Sequence, residues 1–418
     1  MRHLLLMTLL LLAAPSVKAD PPPTVTVDFA RSVRAAHSMS GFLHACSATE
    51  PPDECIMALR PALWRVGWMW LDNRDRLARL GIPVIMVLSD TWGPHPPADA
   101  AAWDAHVRKI AGDARGRGFT WDIWNEPDIS QFWKGTRPQF FETYARAARA
   151  LRAELGPRTR ISGPSITHYD HTYIAQFLDY CVANKIRLDV LSWHELAVDA
   201  DIPSITDHLR DARASFLNDP AYKSLGIQKI QINEIVGPTA QYEPGEILGY
   251  FAALERGGAD GACKGCWPDS HGRDNCANAT LDGILTPDTH QPRAAWWAYK
   301  VYADGLAGRV ACASANAHIA AFAAREGDGA QVVLGAFAYR DAPPVTDVRV
   351  RLAGLDRLPG VKKSGKVRVT VERIPNTGEV ALPSPERAGE QTVSVIGGVA
   401  EVTVPGVRLH EAYRLTLK

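Results

Sequence analysis

An Asn-Glu pair ends the apolar run Phe119-Thr120-Trp121-Asp122-Ile123-Trp124-Asn125-Glu126-Pro127. The run up to Trp124 predicts a buried strand, and Pro127 ends that strand because proline has no amide hydrogen to donate to a neighbour. A carboxyl group at a strand end, flanked by an amide and by indole rings, suits proton transfer to an oxygen of a bound molecule. The segment therefore predicts a strand that carries a functional acid, Glu126, at its end.

Short apolar runs alternate with amphipathic segments from about residue 38 to residue 305. Strands that alternate with helices in this way pair in parallel through right-handed crossovers. Eight such units in roughly 250 residues predict an α/β fold, the (β/α)8 or TIM barrel. The eight predicted strands cover 39–44, 63–68, 83–88, 119–124, 160–166, 189–194, 229–233 and 259–263.

The sequence pattern changes after a last predicted helix at 292–305. Residues 310–418 have no helical period and contain β-like runs separated by Gly, Pro and Asp, which predicts a C-terminal antiparallel β-sandwich. A strand-like segment, 24–28, precedes the barrel, and we expect it to join the sandwich. The predicted domains are a signal peptide at 1–19, a strand segment at 20–36, the catalytic barrel at 37–308 and the β-sandwich at 309–418.

Composition and the N-terminus restrict the partners. Lys plus Arg and Asp plus Glu each number 46 in 418 residues, so the formal net charge is zero, and nucleic acid is not expected as a partner. The apolar run 4–14 is too short to span a bilayer and precedes small residues, which predicts a signal peptide cleaved near Ala19. We expect a secreted or periplasmic protein that makes no membrane contact after cleavage. The sequence leaves the oligomeric state open.

Seven cysteines are consistent with an oxidising compartment, in which disulfides are the usual state. Cys46 and Cys55 bracket a Pro-rich loop that a disulfide would close. Cys266 and Cys276 form the second candidate pair. A zinc site that includes Cys263 is disfavoured because a fourth ligand is not evident. We therefore expect neither a metal nor another cofactor.

Two predicted strands end in a glutamate. In a (β/α)8 barrel, functional residues come from the C-terminal ends of the strands, and the fourth and seventh strands face each other across the mouth. Glu126 ends the fourth and Glu234 the seventh. Glycosidic bond cleavage requires two carboxyl groups on opposite sides of one cleft. Glu195 is an alternative to Glu234, but it follows His194, and neighbouring side chains on a strand point to opposite sides.

Other strand ends offer groups that suit a sugar. His194 ends the sixth predicted strand, and Arg65 lies at the end of the second, where it can orient a carboxylate or anchor a loop. An indole ring can stack on the apolar face of a pyranose. Trp267, which follows the eighth strand, is the first candidate for such a ring. Further tryptophans in or just after βα loops are Trp92, Trp133 and Trp193.

The segment Trp121-Asp122-Ile123-Trp124-Asn125-Glu126-Pro127-Asp128 resembles the acid/base signature of glycoside hydrolase family 39. Residues 283–299 are similar to the eighth helix of that family, which belongs to a clan of retaining (β/α)8 glycosidases and includes β-xylosidases and α-L-iduronidases. The resemblance implies that Glu126 is the general acid/base, that Glu234 is the nucleophile and that Asn125 hydrogen-bonds the sugar 2-hydroxyl. The family more often has Glu at the position of Asp122, which we expect deeper in the barrel.

The sequence thus predicts a retaining glycosidase that acts on a β-linked oligo- or polysaccharide partner. An exo-acting β-xylosidase-like enzyme and an endo-acting enzyme on an exopolysaccharide both remain open, and the short βα loops favour an open groove. A carbohydrate-binding barrel without catalysis is an alternative of another class. A metal-dependent hydrolase that uses His37, His44, His168 or His194 is disfavoured because no His-x-His or His-x-x-x-His spacing occurs at a strand end.

Overall fold

Eight parallel strands form the predicted barrel. The computed structural model describes residues 24–33, 37–67, 71–93, 95–196 and 201–418, so the predicted signal peptide lies outside the described residues. Each barrel strand pairs in parallel with the next one along the chain. In order they are β2 (Gly41–Leu43), β3 (Leu63–Gly67), β4 (Val84–Val87), β5 (Thr120–Asp122), β6 (Arg160–Ile166), β7 (Val190–Glu195), β8 (Lys229–Ile235) and β9 (Ala262–Lys264).

The first and last barrel strands, β2 and β9, approach each other closely. A Cβ atom added to Gly41 would lie 2.2 Å from the carbonyl oxygen of Ala262. Only a residue without a side chain fits where two backbones come this near. Gly41 therefore permits the contact that brings the two ends of the sheet together.

Helices surround the barrel and bury their apolar faces against it. Helix α4 shows how such a helix starts, because Thr136 and Gln139 form a reciprocal capping box at its N-terminus. One hydrophobic core includes the large side chains of Trp64, Trp121 and Trp193. The helices are α1 (Asp53–Met57), α2 (Leu71–Arg79), α3 (Ala100–Asp113), α4 (Arg137–Leu155), α5 (His171–Ala183), α6 (Ser204–Ala212), α7 (Pro244–Gly257) and α8 (Ala294–Asp304). No described helix is both long and apolar enough to cross a membrane.

The C-terminal region folds as two β-sheets around a second core. One sheet has the order β10-β1-β13-β16, and the other has the order β11-β12-β17-β14-β15. A short helix, α9 (Pro359–Ser364), precedes β14. The strands are β1 (Thr24–Ser32), β10 (Val310–Ser314), β11 (Ile319–Glu326), β12 (Gly329–Ala336), β13 (Val345–Ala353), β14 (Lys366–Ile374), β15 (Glu386–Ser394), β16 (Ala400–Arg408) and β17 (Ala412–Leu417).

The N-terminal strand β1 joins the sandwich, as the sequence predicts. It pairs antiparallel with β10, with Val27 opposite Cys312. On its other side it pairs with β13 in parallel, with Val27 opposite Leu352. The sandwich is therefore antiparallel except at this one pairing, which the sequence pattern did not indicate.

Helix α7 connects the barrel to the sandwich. A Cβ atom on Gly245 would lie 2.1 Å from the carbonyl oxygen of Ala336, so the helix backbone contacts the last residue of β12 directly. The buried Glu246 accepts hydrogen bonds from the Ala338 amide at 3.0 Å and shares one with His410 Nδ1 at 2.6 Å. Close backbone contact and charged hydrogen bonds hold the two units together.

Candidate active site

Glu126 lies just beyond the end of β5 in an unusual backbone conformation. Its φ is +46°, in the left-handed region that residues with a Cβ atom rarely adopt. Two hydrogen bonds fix the segment: the Glu126 amide donates to the carbonyl of Ser165 at 2.9 Å, and the Asn125 amide donates to Ser89 Oγ at 3.0 Å. Strain of this kind is retained where the surrounding structure holds it, often at functional sites.

The two strand-end glutamates predicted to face each other do meet. Glu234, near the end of β8, is buried to about the same degree as Glu126, with 9% and 8% exposure. Three atoms lie within 4.8 Å of one another: a carboxylate oxygen of Glu126, a carboxylate oxygen of Glu234 and a ring nitrogen of His194. The structure therefore places two carboxylates on either side of one small space.

Arg65 connects the deep part of the barrel to this pair. The guanidinium donates to Glu234 Oε1 at 2.6 Å, to Asn125 Oδ1 at 2.9 Å and to Asp122 Oδ2 at 2.9 Å. Burial disfavours its charge, but Asp122 and Glu234 outweigh burial, so the pKa of Arg65 is raised above its usual range. Arg65 therefore orients a carboxylate, which is one of the two roles predicted for it.

Asp122 lies below the cavity, fully buried, as expected from its place on the strand. Oδ1 accepts a hydrogen bond from Ser165 Oγ at 2.7 Å, and Oδ2 accepts one from Asn233 Nδ2 at 3.0 Å in addition to that from Arg65. Ser165 also holds the Glu126 amide, and Asn233 precedes Glu234. One carboxylate thus links the backbone supports of both glutamates.

His194 and Glu195 point in opposite directions from β7, as predicted. His194 Nδ1 lies 2.9 Å from Glu126 Oε1 and 3.9 Å from Glu234 Oε1. Glu195 instead accepts hydrogen bonds from Trp193 Nε1 at 2.7 Å and from His208, away from the glutamate pair. The structure therefore favours Glu234 over Glu195 as the partner of Glu126.

A cavity of about 660 Å³ opens above the glutamate pair, within the size range of small-molecule sites. Trp267 lines it, and its indole nitrogen donates to the carbonyl of Val236 at 2.8 Å, which fixes the ring. The predicted disulfide between Cys266 and Cys276 is formed, and both residues line the same wall.

Three of the four predicted sugar-binding tryptophans do not line this cavity: Trp193, which is fully buried, Trp133 and Trp92. Trp133 is buried, donates to the carbonyl of Thr136 and packs edge-on against Trp124. Trp92 packs between Trp103 and His106. Both rings follow strand ends in the sequence, but Phe132 rather than Trp133 faces the cavity from its loop, and Trp92 packs on Trp103 of α3. The structure thus does not bring these rings to the cavity, and their role in sugar binding stays a prediction.

The prediction of a disulfide between Cys46 and Cys55 is wrong, because both residues are free thiols. Cys46 belongs to the hydrophobic core, and Cys55 packs against that core from the first turn of α1. Burial raises the pKa of the Cys46 thiol to about 12. Both cysteines act as small apolar side chains, a common role of a free cysteine.

The cavity contains several polar residues that were not predicted to bind substrate, and two of them contact each other. His44 and Asp90 both line it, with His44 Nε2 3.6 Å from Asp90 Oδ2. Burial lowers the pKa of His44 to about 3, and the neighbouring Arg65 contributes to that shift. Burial raises the pKa of Asp90 to about 6. Their positions at the ends of predicted strands were the signal that could have identified them.

Glu126, His194 and Glu234 are close enough to one another to ligate a cation. The guanidinium of Arg65 already lies 2.6 Å from Glu234 Oε1, and His194 already contacts Glu126. A metal ion would have to compete with a buried positive charge for the same oxygen, so this donor set is poorly suited to a resident metal.

Fold and site together define a class of protein: a (β/α)8 barrel with glutamates at the ends of its fourth and seventh strands, followed by a β-sandwich. Comparison with known proteins agrees. Residues 99–223 match the model of glycosyl hydrolases family 39. A Geobacillus stearothermophilus beta-xylosidase is 29% identical over 107 residues, which are 24% of this chain and 21% of that enzyme. The match thus spans about a fifth of the curated relative.

Solved structures share the fold over nearly the whole chain. N2152 from Neocallimastix frontalis superposes with a TM-score of 0.78 at 21% identity, covering 95% of this chain and 100% of that one. A family 39 enzyme from Xanthomonas axonopodis pv. citri gives a TM-score of 0.71 at 16% identity, covering 97% and 99%. These findings support an assignment to glycosyl hydrolase family 39, whose model matches residues 99–223, and the solved structures show the shared fold.

Proposed function

We propose that the protein is a retaining glycoside hydrolase that cleaves β-linked oligo- or polysaccharides, with Glu126 as acid/base and Glu234 as nucleophile. The observation that carries the proposal is the approach of the two carboxylates, whose nearest oxygens lie within 4.8 Å of each other. Retaining enzymes hold these groups about 5–5.5 Å apart, whereas inverting enzymes leave a wider gap that admits a water molecule. The short separation therefore supports double displacement.

In the first step Glu126 protonates the leaving-group oxygen while Glu234 attacks the anomeric carbon. The carbon–oxygen bond to the leaving group breaks, and an ester bond forms between the sugar and Glu234. Arg65 keeps a positive charge 2.6 Å from Glu234 Oε1 and holds that oxygen in place for attack. Asn125 is held by the same guanidinium, so its amide nitrogen can face the sugar 2-hydroxyl.

In the second step Glu126, now ionised, accepts a proton from a water molecule that attacks the anomeric carbon. The ester bond to Glu234 breaks, and the sugar leaves with its original anomeric configuration. His194 Nδ1 lies close to both carboxylates, at 2.9 Å from Glu126 Oε1 and 3.9 Å from Glu234 Oε1. That position suits a residue that orients the acid/base between the two steps.

The substrate is proposed by comparison and from the cavity. The curated relative is described as a beta-xylosidase, which makes a β-xyloside the first substrate to test. Trp267 offers a fixed aromatic wall on which a sugar ring can stack. A secreted location, as the N-terminal sequence predicts, would bring the protein into contact with extracellular polysaccharide, and both exo and endo action are proposed for testing.

The test uses aryl glycosides, oligosaccharides and NMR of the first-formed product anomer. The wild type should release a product of unchanged configuration. In Glu234→Gln, kcat should fall by a factor of at least about 10²–10⁴. Glu126→Gln should be slow on a poor leaving group and much less impaired on an activated aryl leaving group that needs no proton. Glu195→Gln is the matched control and should remain active.

An inverted product would refute the retaining mechanism. Sugar binding without hydrolysis, unchanged by both variants, would support the carbohydrate-binding barrel instead.

A further inference from the structure

The charges around the cavity are unbalanced. Four of its lining residues are carboxylic acids, and Arg65 is the sole lysine or arginine among the described residues that line it. Some residues that follow barrel strands in the sequence lie outside the described ranges. They too include no lysine or arginine: 68–70, 94 and 197–200. The four acids are Asp90, Glu126, Glu234 and Asp274.

Arg65 offsets Asp90 only in part, because its charge lowers the pKa of Asp90 against a larger effect of burial and its hydrogen bonds go to other groups. The guanidinium bonds to Asp122, Glu234 and Asn125 at 2.6–2.9 Å. His44 does not offset the charge of Asp90, since burial keeps His44 neutral at ordinary pH. Asp90 therefore presents to the cavity a carboxylate to which no lysine or arginine of the described residues is hydrogen-bonded.

Asp90 also lies where it can affect the sugar attached to Glu234. Gly67 leaves room for it, because a Cβ atom on Gly67 would lie 2.4 Å from Asp90 Oδ2. Asp90 and Glu234 are close enough to raise the pKa of Asp90 by charge repulsion, in addition to the larger effect of burial. Both residues line the same cavity of about 660 Å³, so a sugar bonded to Glu234 would share that space with Asp90.

We propose that Asp90 is a specificity-determining residue that excludes sugars bearing a carboxylate from the position next to Glu234. The inference rests on the proposed function, and it adds a substrate class: neutral glycosides are accepted and uronides are rejected. Repulsion between two carboxylates in a partly buried site is strong, because few water molecules screen it. Bringing a uronate beside Asp90 therefore opposes binding, whereas a hydroxymethyl group can donate a hydrogen bond to it.

The test compares two ligands that differ only at C6, methyl β-D-glucoside and methyl β-D-glucuronide. Binding is followed by NMR titration, so the result does not depend on turnover, and hydrolysis of the matching aryl glycosides is measured in parallel. We expect the wild type to bind the glucoside at least about tenfold more tightly. Asp90→Asn should reduce that ratio about tenfold by improving binding of the glucuronide.

Asp274→Asn is the matched control. It removes the same charge from the exposed rim of the cavity, where water screens it, and should change the ratio less than about twofold. Equal or tighter binding of the glucuronide by the wild type, an unchanged ratio in Asp90→Asn, or binding of neither ligand would overturn the proposal. Discrimination in binding with no hydrolysis of these two aryl glycosides or of an aryl β-xyloside would sustain Asp90 and contradict the proposed function alone.

Discussion

Individual residues at strand ends could be predicted, but their partners could not. The order of strands along the chain was enough to place Glu126, Glu234, His194 and Arg65 at one barrel mouth. The sequence does not reveal which side chains of a loop face the cavity, and that orientation separates Trp267 from Trp92 and Trp133. Asp90 was not predicted to bind substrate because its electrostatic surroundings depend on which groups Arg65 hydrogen-bonds.

Asp122 offers a test at the scale of one residue. Asp122→Asn keeps the shape of the side chain but leaves the buried Arg65 without one of its two carboxylates. Breaking a buried ion pair in this way costs about 3–5 kcal/mol of unfolding free energy. Because Arg65 and Asn233 then hold Glu234 less well, kcat should fall more than KM changes.

Urea unfolding and steady-state kinetics measure these effects. Asp122→Glu, which restores the charge, is the control and should recover part of kcat. Wild-type kcat in Asp122→Asn would show that this carboxylate does not position the glutamates.

At the scale of elements, the alternation of strands and helices predicted every barrel strand, but not every boundary. The last strand was predicted at 259–263 and is found at Ala262–Lys264. The preceding residues form a turn, in which Asp260 Oδ2 accepts hydrogen bonds from the Ile230 amide at 2.9 Å and from Arg213 at 2.8 Å. Side-chain contacts between distant segments set this boundary, and the local pattern contains no record of them.

The meeting of β2 and β9 gives the element-scale prediction. Gly41→Ala would put a methyl group 2.2 Å from the Ala262 carbonyl oxygen, so the strands must separate. We expect a loss of roughly 1–3 kcal/mol in the free energy of unfolding, measured in urea.

Gly112→Ala in α3 is the matched control. Outside the helix's own backbone, the atom nearest to the new methyl group would be Glu154 Oε1 at 4.0 Å, and alanine favours a helix by roughly 0.5–1 kcal/mol. Equal stability of the two variants would mean that the strands do not depend on this close approach.

For the whole molecule, the sequence predicted a barrel followed by a sandwich, but not the contact between them. That contact includes His410, which lies 3.2 Å from Glu243 and 2.6 Å from Glu246 on α7. The hydrogen bonds to these two carboxylates raise the pKa of His410 to about 10. A histidine in an unfolded chain titrates near about 6.5, so folding favours its charged form.

His410 therefore stabilises the molecule fully below about pH 6.5, and this contribution is lost as the pH rises to about 10. The difference in unfolding free energy between the wild type and His410→Gln should shrink over that interval. Chemical denaturation at several pH values measures it. His271→Gln, a change at an exposed turn, is the control. A difference that stays constant with pH would contradict the assignment of this charge to the contact between barrel and sandwich.

The position of β1 in the sandwich has a consequence for how the molecule is made. Val27 pairs with Cys312 and Leu352, so the first strand has to wait for partners synthesised 285 and 325 residues later. Contacts between such distant segments form slowly, since a long loop must close first. The barrel can therefore assemble while β1 is still unpaired, and the sandwich is completed last. Partly made chains would expose an apolar strand, which makes the interval before the C-terminus emerges the period of greatest risk of aggregation.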